Sequence, residues 1–354
     1  MITRSGVEPG RRSSVRAVVA AVVSVLAAVL GVLPTAGVAG AAEAPTSRDL
    51  YAWPFAWNSI WNLPLATTAR YGEFDSRIGD LYADVENISV DPDAPVRTLG
   101  GAGSGEVRVD PDLRADGSWN NCSTLLVASP DERTVVQGQP MELEPGGDPS
   151  WEYAWPAQSL AGDGTEGCHG GSGLSGIGGT IREGELSSGE PLRHALKMSL
   201  PCTTSCSPEN GGFRWPAVKA DDGYEGRYGG ENPQVAMGSL LALPPDTDLS
   251  GITEPDVRAV AEALRTYGAY VVDETGGAPS GSFQVQSTAL REFPHLDSAA
   301  MREVVDQLAV VENNGPFTPA GGTLLAARRA ACAPPFDDGT GGAPATCRRD
   351  TEAE

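Results

Sequence analysis

Lysine is almost missing from this chain of 354 residues: Lys197 and Lys219 are the only two, and every other basic side chain is arginine or one of three histidines. No Gly-Lys-Ser or Gly-Lys-Thr occurs, which excludes a phosphate loop of the nucleotide-binding type. The formal net charge is −22 and no basic patch interrupts it, so nucleic acid and anionic lipid are repelled as partners. Beyond residue 33 no apolar run approaches the roughly 20 residues that a membrane-spanning helix needs. Cys202 and Cys206 have no second Cys or His pair at ligand spacing, so no metal is expected, and no cofactor motif is present.

What the first 42 residues do contain is a targeting pattern. Arg4, Arg11, Arg12 and Arg16 precede the uncharged run Ala17 to Leu33, and Ala39-Gly40-Ala41-Ala42 supplies small residues for a signal peptidase. Residues 1–42 therefore read as a signal peptide, with no stable membrane insertion after cleavage. They carry a net charge of +3, so the remainder lies near −25. All six cysteines follow this segment, and an even count in an exported chain reads as disulfides. The preferred pairing is sequential: Cys122 with Cys168, Cys202 with Cys206, and Cys332 with Cys347.

Residues 43–94 open with Tyr51, Trp53, Phe55, Trp57 and Trp61 and read as an aromatic arm that packs on the core. Residues 95–333 read as a single β-rich domain. Glu106 to Asp110, Ser123 to Ala128, Thr134 to Leu143, Val235 to Leu243 and Ala269 to Asp273 carry strand patterns. Helical spacing follows Thr253, with Asp256 at the capping-box distance, and recurs from Ser298 to Glu312 behind Asp297. The expectation is a mainly β fold, a β-sandwich or jelly-roll core with a few helices in its C-terminal part. Residues 334–354, rich in Gly, Pro and Asp, read as a flexible tail.

The candidate site is Gly167 to Leu200, GCHGGSGLSGIGGTIREGELSSGEPLRHALKMSL, which holds His169 and His194. Ser172 and Ser175 lack the flanking glycines of a nucleophile elbow, so serine-hydrolase chemistry is set aside. His194 falls in phase with Leu192, Leu196, Met198 and Leu200, which makes it either a core histidine or the floor of a cleft. As a catalytic pair the sequence offers His194 and Glu185, with His169 and Arg182 orienting substrate. Glu183 and Glu185 lie too close to flank a scissile bond from opposite sides, so a hydrolase would need a further carboxylate such as Asp131 or Asp163. Gln137 and Gln139 share an otherwise apolar strand face, as core groups or as a polar groove. Trp151, Tyr153 and Trp155 form a stripe that is either core or a platform for sugar rings.

The blocks Trp57 to Asn62, His169 to Leu186 (HGGSGLSGIGGTIREGEL), Arg193 to Lys197 (RHALK), Arg214 to Ala217 (RWPA), Asn232 to Pro244 and Tyr267 to Asp273 resemble a family of secreted high-GC Gram-positive bacterial proteins with no established activity. The resemblance implies secretion and an important central block. The functional expectation is a secreted, carbohydrate-active protein, a polysaccharide hydrolase or lyase using a central His/Glu/Arg cleft on extracellular polysaccharide or cell-wall glycan. The alternative is a non-catalytic cell-envelope or glycan-binding protein.

Overall fold

A computed structural model describes residues 45–117, 122–276, 279–344 and 347; the expected signal peptide lies outside the described residues. The chain is mainly β, with a sandwich-type core. Its strands are β1 (Tyr71–Gly72), β2 (Asp80–Ser89), β3 (Val96–Thr98), β4 (Gly100–Gly101), β5 (Glu106–Arg108), β6 (Ala115–Asp116) and β7 (Ser123–Val127). They continue with β8 (Thr134–Leu143), β9 (Ser150–Ser159), β10 (Leu196–Leu200), β11 (Leu240–Ala242), β12 (Ala269–Glu274), β13 (Ser280–Gln286) and β14 (Ala309–Val311). The helices are α1 (Tyr224–Arg227), α2 (Pro255–Thr266) and α3 (Ala299–Asp306), all in the C-terminal half.

The main path through the sheet runs β1-β14-β11-β12-β10-β13-β2-β7-β8-β9-β4. Pairing is mixed: β10 with β12, β13 with β2, β2 with β7 and β4 with β9 are parallel, the other ladders antiparallel. The long strand β2 joins the two halves of this sheet. Asp80 to Glu86 pairs with β13, and Asn87 to Ser89 pairs with β7.

Period-two alternation gives the central strands two different faces. Leu196, Met198 and Leu200 of β10, Phe283 and Val285 of β13, and Leu81 of β2 are buried in one cluster with Val257, Val260 and Leu264 of α2 and Met301, Val304 and Val305 of α3. Helix α2 begins at Pro255, whose missing N–H costs nothing at a first helical position, with Glu254 rather than Thr253 before it. Ser298, rather than Asp297, caps α3 by accepting from the Met301 amide. The helix expected to run to Glu312 stops at Asp306, because β-branched Val310 and Val311 are claimed by pairing with β11 and β1.

The opposite face carries Lys197 and Ser199 of β10, Ser282 and Gln284 of β13, and Asp84 and Glu86 of β2. The aromatic arm and the glycine loop lie against this side. Trp61 is 1% exposed, donates from Nε1 to the Gly164 carbonyl at 2.7 Å and meets the Tyr270 ring edge-on. Gly179 has φ of +75° and a backbone so close to Trp61 and Lys197 that a Cβ would lie 2.6 Å from each. The three disulfides are Cys122–Cys168, Cys202–Cys206 and Cys332–Cys347, as the sequential pairing anticipates. The start of the tail is anchored: Phe336 is buried with the Arg48 guanidinium over its ring, 3.9 Å from the centroid.

Candidate functional site

Glu185 and His194 do meet. His194 Nε2 lies 3.1 and 3.2 Å from the two Glu185 carboxylate oxygens, and Nδ1 lies 2.9 Å from the Ala195 carbonyl. Arg182 completes the group. Its amide donates to Glu185 at 2.7 Å, and its guanidinium reaches Glu185 at 3.2 Å and the carbonyls of Tyr51 and Ala52 in the arm. Burial opposes ionisation of Glu185, but the His194 and Arg182 charges and the hydrogen bond from His194 outweigh it and bring the carboxyl down to about 2. These residues line a cleft of about 750 Å³ together with Tyr51, Trp53 and Arg193. Arg182 bonds both Glu185 and the arm, while both nitrogens of His194 face acceptors. The group is a satisfied frame.

His169 lies in a second cluster, which the sequence does not bring together. Lys197, fully buried, places its ammonium 2.9 Å from the carbonyls of Ser175 and Gly176, 3.3 Å from Glu86 Oε1 and 2.8 Å from His169 Nε2. His169 Nε2 is also 2.8 Å from Glu86 Oε1. A ring nitrogen either donates to the carboxylate or accepts from the ammonium, so Glu86, His169 and Lys197 form a proton-sharing triad. Burial draws the Lys197 ammonium below its ordinary value against the pull of Glu86, Asp84 and Asp273. Burial and Lys197 also work against the charged ring of His169, yet Glu86 and Asp273 outweigh them and hold it above the usual imidazole value.

The triad opens outward through carboxylates. Asp84 shares the β2 face with Glu86, is half-buried, and is pushed up to about 6 by burial and by repulsion from Glu86 and Asp273, with His169 opposing. Asp273 stands 3.9 Å from His169 Nδ1 and is paired with Ser199 across the β10–β12 ladder. Asp221 accepts a 2.5 Å hydrogen bond from Tyr228. Gly171 lets these groups approach: a Cβ there would lie 2.8 Å from an Asp273 oxygen and 3.1 Å from an Asp221 oxygen. Tyr82, two residues before Asp84 on the same face, is 41% exposed.

Among the described residues, one group of His, Cys and carboxylate atoms is close enough to share an ion: Glu86, Cys122 and His169, within 4.8 Å. Its chemistry does not suit a metal. Cys122 is bonded to Cys168 and offers no thiolate, while the Lys197 ammonium already stands against both Glu86 and His169.

The other expected binding residues divide. Gln137 is fully buried and braces the glycine loop, accepting from the Gly176 amide at 2.7 Å and donating to the Glu166 carbonyl at 3.3 Å. Trp151 packs in the core against Leu99, Leu125 and Met141. Gln139 and Tyr153 are cross-strand partners on β8 and β9, with Tyr153 50% exposed. The carboxylates suggested as partners, Asp131 and Asp163, are absent from both clusters.

Asp84, Glu86, Lys197, Asp221 and Asp273 are the members that spacing alone does not nominate. Two sequence features bear on three of them, Lys197, Asp84 and Glu86. One is a lysine between Leu196 and Met198 in a chain with only one other; the second is Asp80, Tyr82, Asp84 and Glu86 recurring at every second residue. No protein-family model, curated protein or solved structure matches the chain.

Proposed function

We propose that the protein is an extracellular carbohydrate-active enzyme, a polysaccharide hydrolase, whose proton chemistry takes place where the Glu86–His169–Lys197 triad opens through Asp84 and Asp273. The observation that carries this reading is one polar sheet face on which a buried triad leads to two partly open carboxyl groups beside the exposed ring of Tyr82. Three disulfides, and the lack of any helix long and apolar enough to span a membrane among the described residues, suit an exported protein.

In this role Asp84, raised to about 6, donates a proton to the leaving glycosidic oxygen. A water attacks the anomeric carbon as that bond breaks and gives its proton to Asp273, the second carboxylate, which His169 links to the buried Glu86. Tyr82 offers a face for a sugar ring. A lyase acting on uronates is disfavoured, because carboxylates at the mouth repel an anionic sugar. His194, Glu185 and Arg182 hold the arm and frame the neighbouring cleft rather than react.

The test is a screen of the purified chain on a panel of polysaccharides, with Asp84→Asn and His194→Asn compared at matched stability. Asp84→Asn is expected to lose about two orders of magnitude or more in rate. If His194→Asn abolishes activity while Asp84→Asn retains it, chemistry belongs to the first cluster instead.

A second reading is favoured by one observation, the cleft of about 750 Å³ lined by Tyr51 and Trp53 over a satisfied frame. Such a cleft suits a non-catalytic glycan-binding protein of the cell envelope. Glycan retention that survives Asp84→Asn and disappears in Trp53→Ala, with no turnover by either, would establish it.

A further inference from the structure

Carboxylates outnumber cations at the mouth of the buried triad, where Asp221 accepts from Tyr228 and Asp273 from the Glu274 amide. Asp273 and Asp221 converge on the Gly171 backbone, and Asp84 on β2 lies close enough to Asp273 to feel its charge. Two deeper atoms add to the excess. Oε2 of Glu86, a residue 1% exposed, and Oε1 of the fully buried Gln284 have no hydrogen-bond partner. Gln284 spends its amide group on Asp84 at 3.2 Å and Ser199 at 2.7 Å, so its free atom is the acceptor.

The cations nearby are already engaged. Lys197 and His169 are held by Glu86 and by loop carbonyls, and Arg227 pairs with Glu274. Lys219, exposed on the loop before Asp221, is the remaining counter-charge facing that carboxylate. Buried acceptors without donors are costly, and mutually repelling carboxylates call for a positive group. A sugar hydroxyl supplies one donor and no charge, and a uronate adds a further negative charge. A primary ammonium supplies three donors, no acceptor and the missing charge.

We propose that this mouth receives the protonated amine of an amino sugar, so that the preferred substrate is a glucosamine-type, deacetylated glycan. This rests on the carbohydrate reading above and specifies its substrate class. Asp221 holds the ammonium beside Gly171 and Asp273, the second carboxylate of the reaction, adds its charge at the edge of that site, with Asp84 above the bond to be cleaved and Tyr82 beneath a neighbouring ring.

The experiment titrates the purified full chain by calorimetry with a glucosamine oligomer, its N-acetylated counterpart of equal length, a neutral glucan oligomer and an oligogalacturonate. The glucosamine oligomer is expected to bind roughly tenfold or more tighter than the other three. That preference should weaken as salt is raised and fall in Asp273→Asn and Asp221→Asn. Should either variant fail to fold, the salt dependence and the ranking of ligands on the unaltered protein decide the matter alone. Equal or tighter binding of the acetylated or neutral oligomer overturns the ammonium site and leaves the carbohydrate reading standing. Binding of none of the four by folded protein removes both. Binding that requires added calcium and is abolished by a chelator also overturns the proposal, since the carboxylates would then serve a metal.

Discussion

His194 and His169 each touch a glutamate, at 3.1 and 2.8 Å, yet their surroundings are opposite. Around His194 opposite charges are matched: Glu185 receives from His194, from the Arg182 guanidinium and from the Arg182 amide, and its carboxyl falls to about 2. Around His169 carboxyl groups accumulate faster than donors, and Asp84 rises to about 6. The first arrangement stabilises the fold and leaves no group poised to exchange a proton. The second stores repulsion that a ligand can relieve, and mutually perturbed groups at an opening are the usual mark of a reactive site.

Removing Lys197 should have the largest effect. Lys197→Met leaves the buried Glu86 with His169 as its one remaining charged partner, and the loss of the ammonium costs about 3–5 kcal/mol. Adding Glu86→Gln should return part of that stability, because the stranded charge disappears as well. Urea denaturation of the single and double variants measures both. If Lys197→Met is no more damaging than Glu185→Gln, the triad is not the more strongly coupled of the two clusters.

Glu185→Gln comes next. A carboxyl lowered from 4.5 to about 2 contributes about 3 kcal/mol, fully present above the unfolded value and lost as pH falls from about 4.5 toward 2. The gap between the original chain and Glu185→Gln should therefore be wide at pH 7 and nearly closed at pH 2. A gap independent of pH would mean that the carboxylate charge contributes nothing to the frame.

Asp84 reverses the sign. Its folded value of about 6 lies above the 3.8 of an ordinary aspartate, so the native state holds the proton more tightly and stability declines as pH rises from about 4 to 6. Asp84→Asn keeps an oxygen to accept from Gln284 and should be more stable than the original chain at pH 7, by about 2–3 kcal/mol, with no difference below pH 4. Higher stability with lost activity is the pattern of a site kept under strain for function. Asp84→Asn that is destabilised at pH 7 would place Asp84 among the satisfied groups and erase the contrast.

How far the sequence anticipates this depends on where a residue's partners lie along the chain. The mainly β class, the disulfide pairing and the buried histidine at 194 follow from local alternation and cysteine order, and Glu185 lies only nine residues from His194. The triad draws instead on Glu86, His169 and Lys197, brought together by parallel pairing of β2 with β13 and by a glycine loop folding back over β10. No spacing rule encodes such a meeting. β2 itself lies within the segment that its neighbouring aromatic cluster makes look like an arm, and its acidic alternation gives no sign of the loop that covers it. Lys197 shows the same limit: alternation puts it opposite Leu196 and Met198, but that opposite face is enclosed as well.

The smallest effect, and the finest test of the frame, is Arg182→Lys. A lysine keeps the charge beside Glu185 but cannot span Glu185 and the Tyr51 and Ala52 carbonyls with one planar fork, so the loss should be about 1 kcal/mol. It should appear locally. Amide exchange at Trp53 and Phe55, whose N–H groups bond Asp49 and Leu160, should quicken as the arm loosens, while the Phe283 and Val285 amides of β13 stay protected. Quickening in β13 to the same degree would mean that arm and polar face open as one unit, so that the two histidine clusters, opposite in their electrostatics, would be mechanically joined through the glycine loop between them.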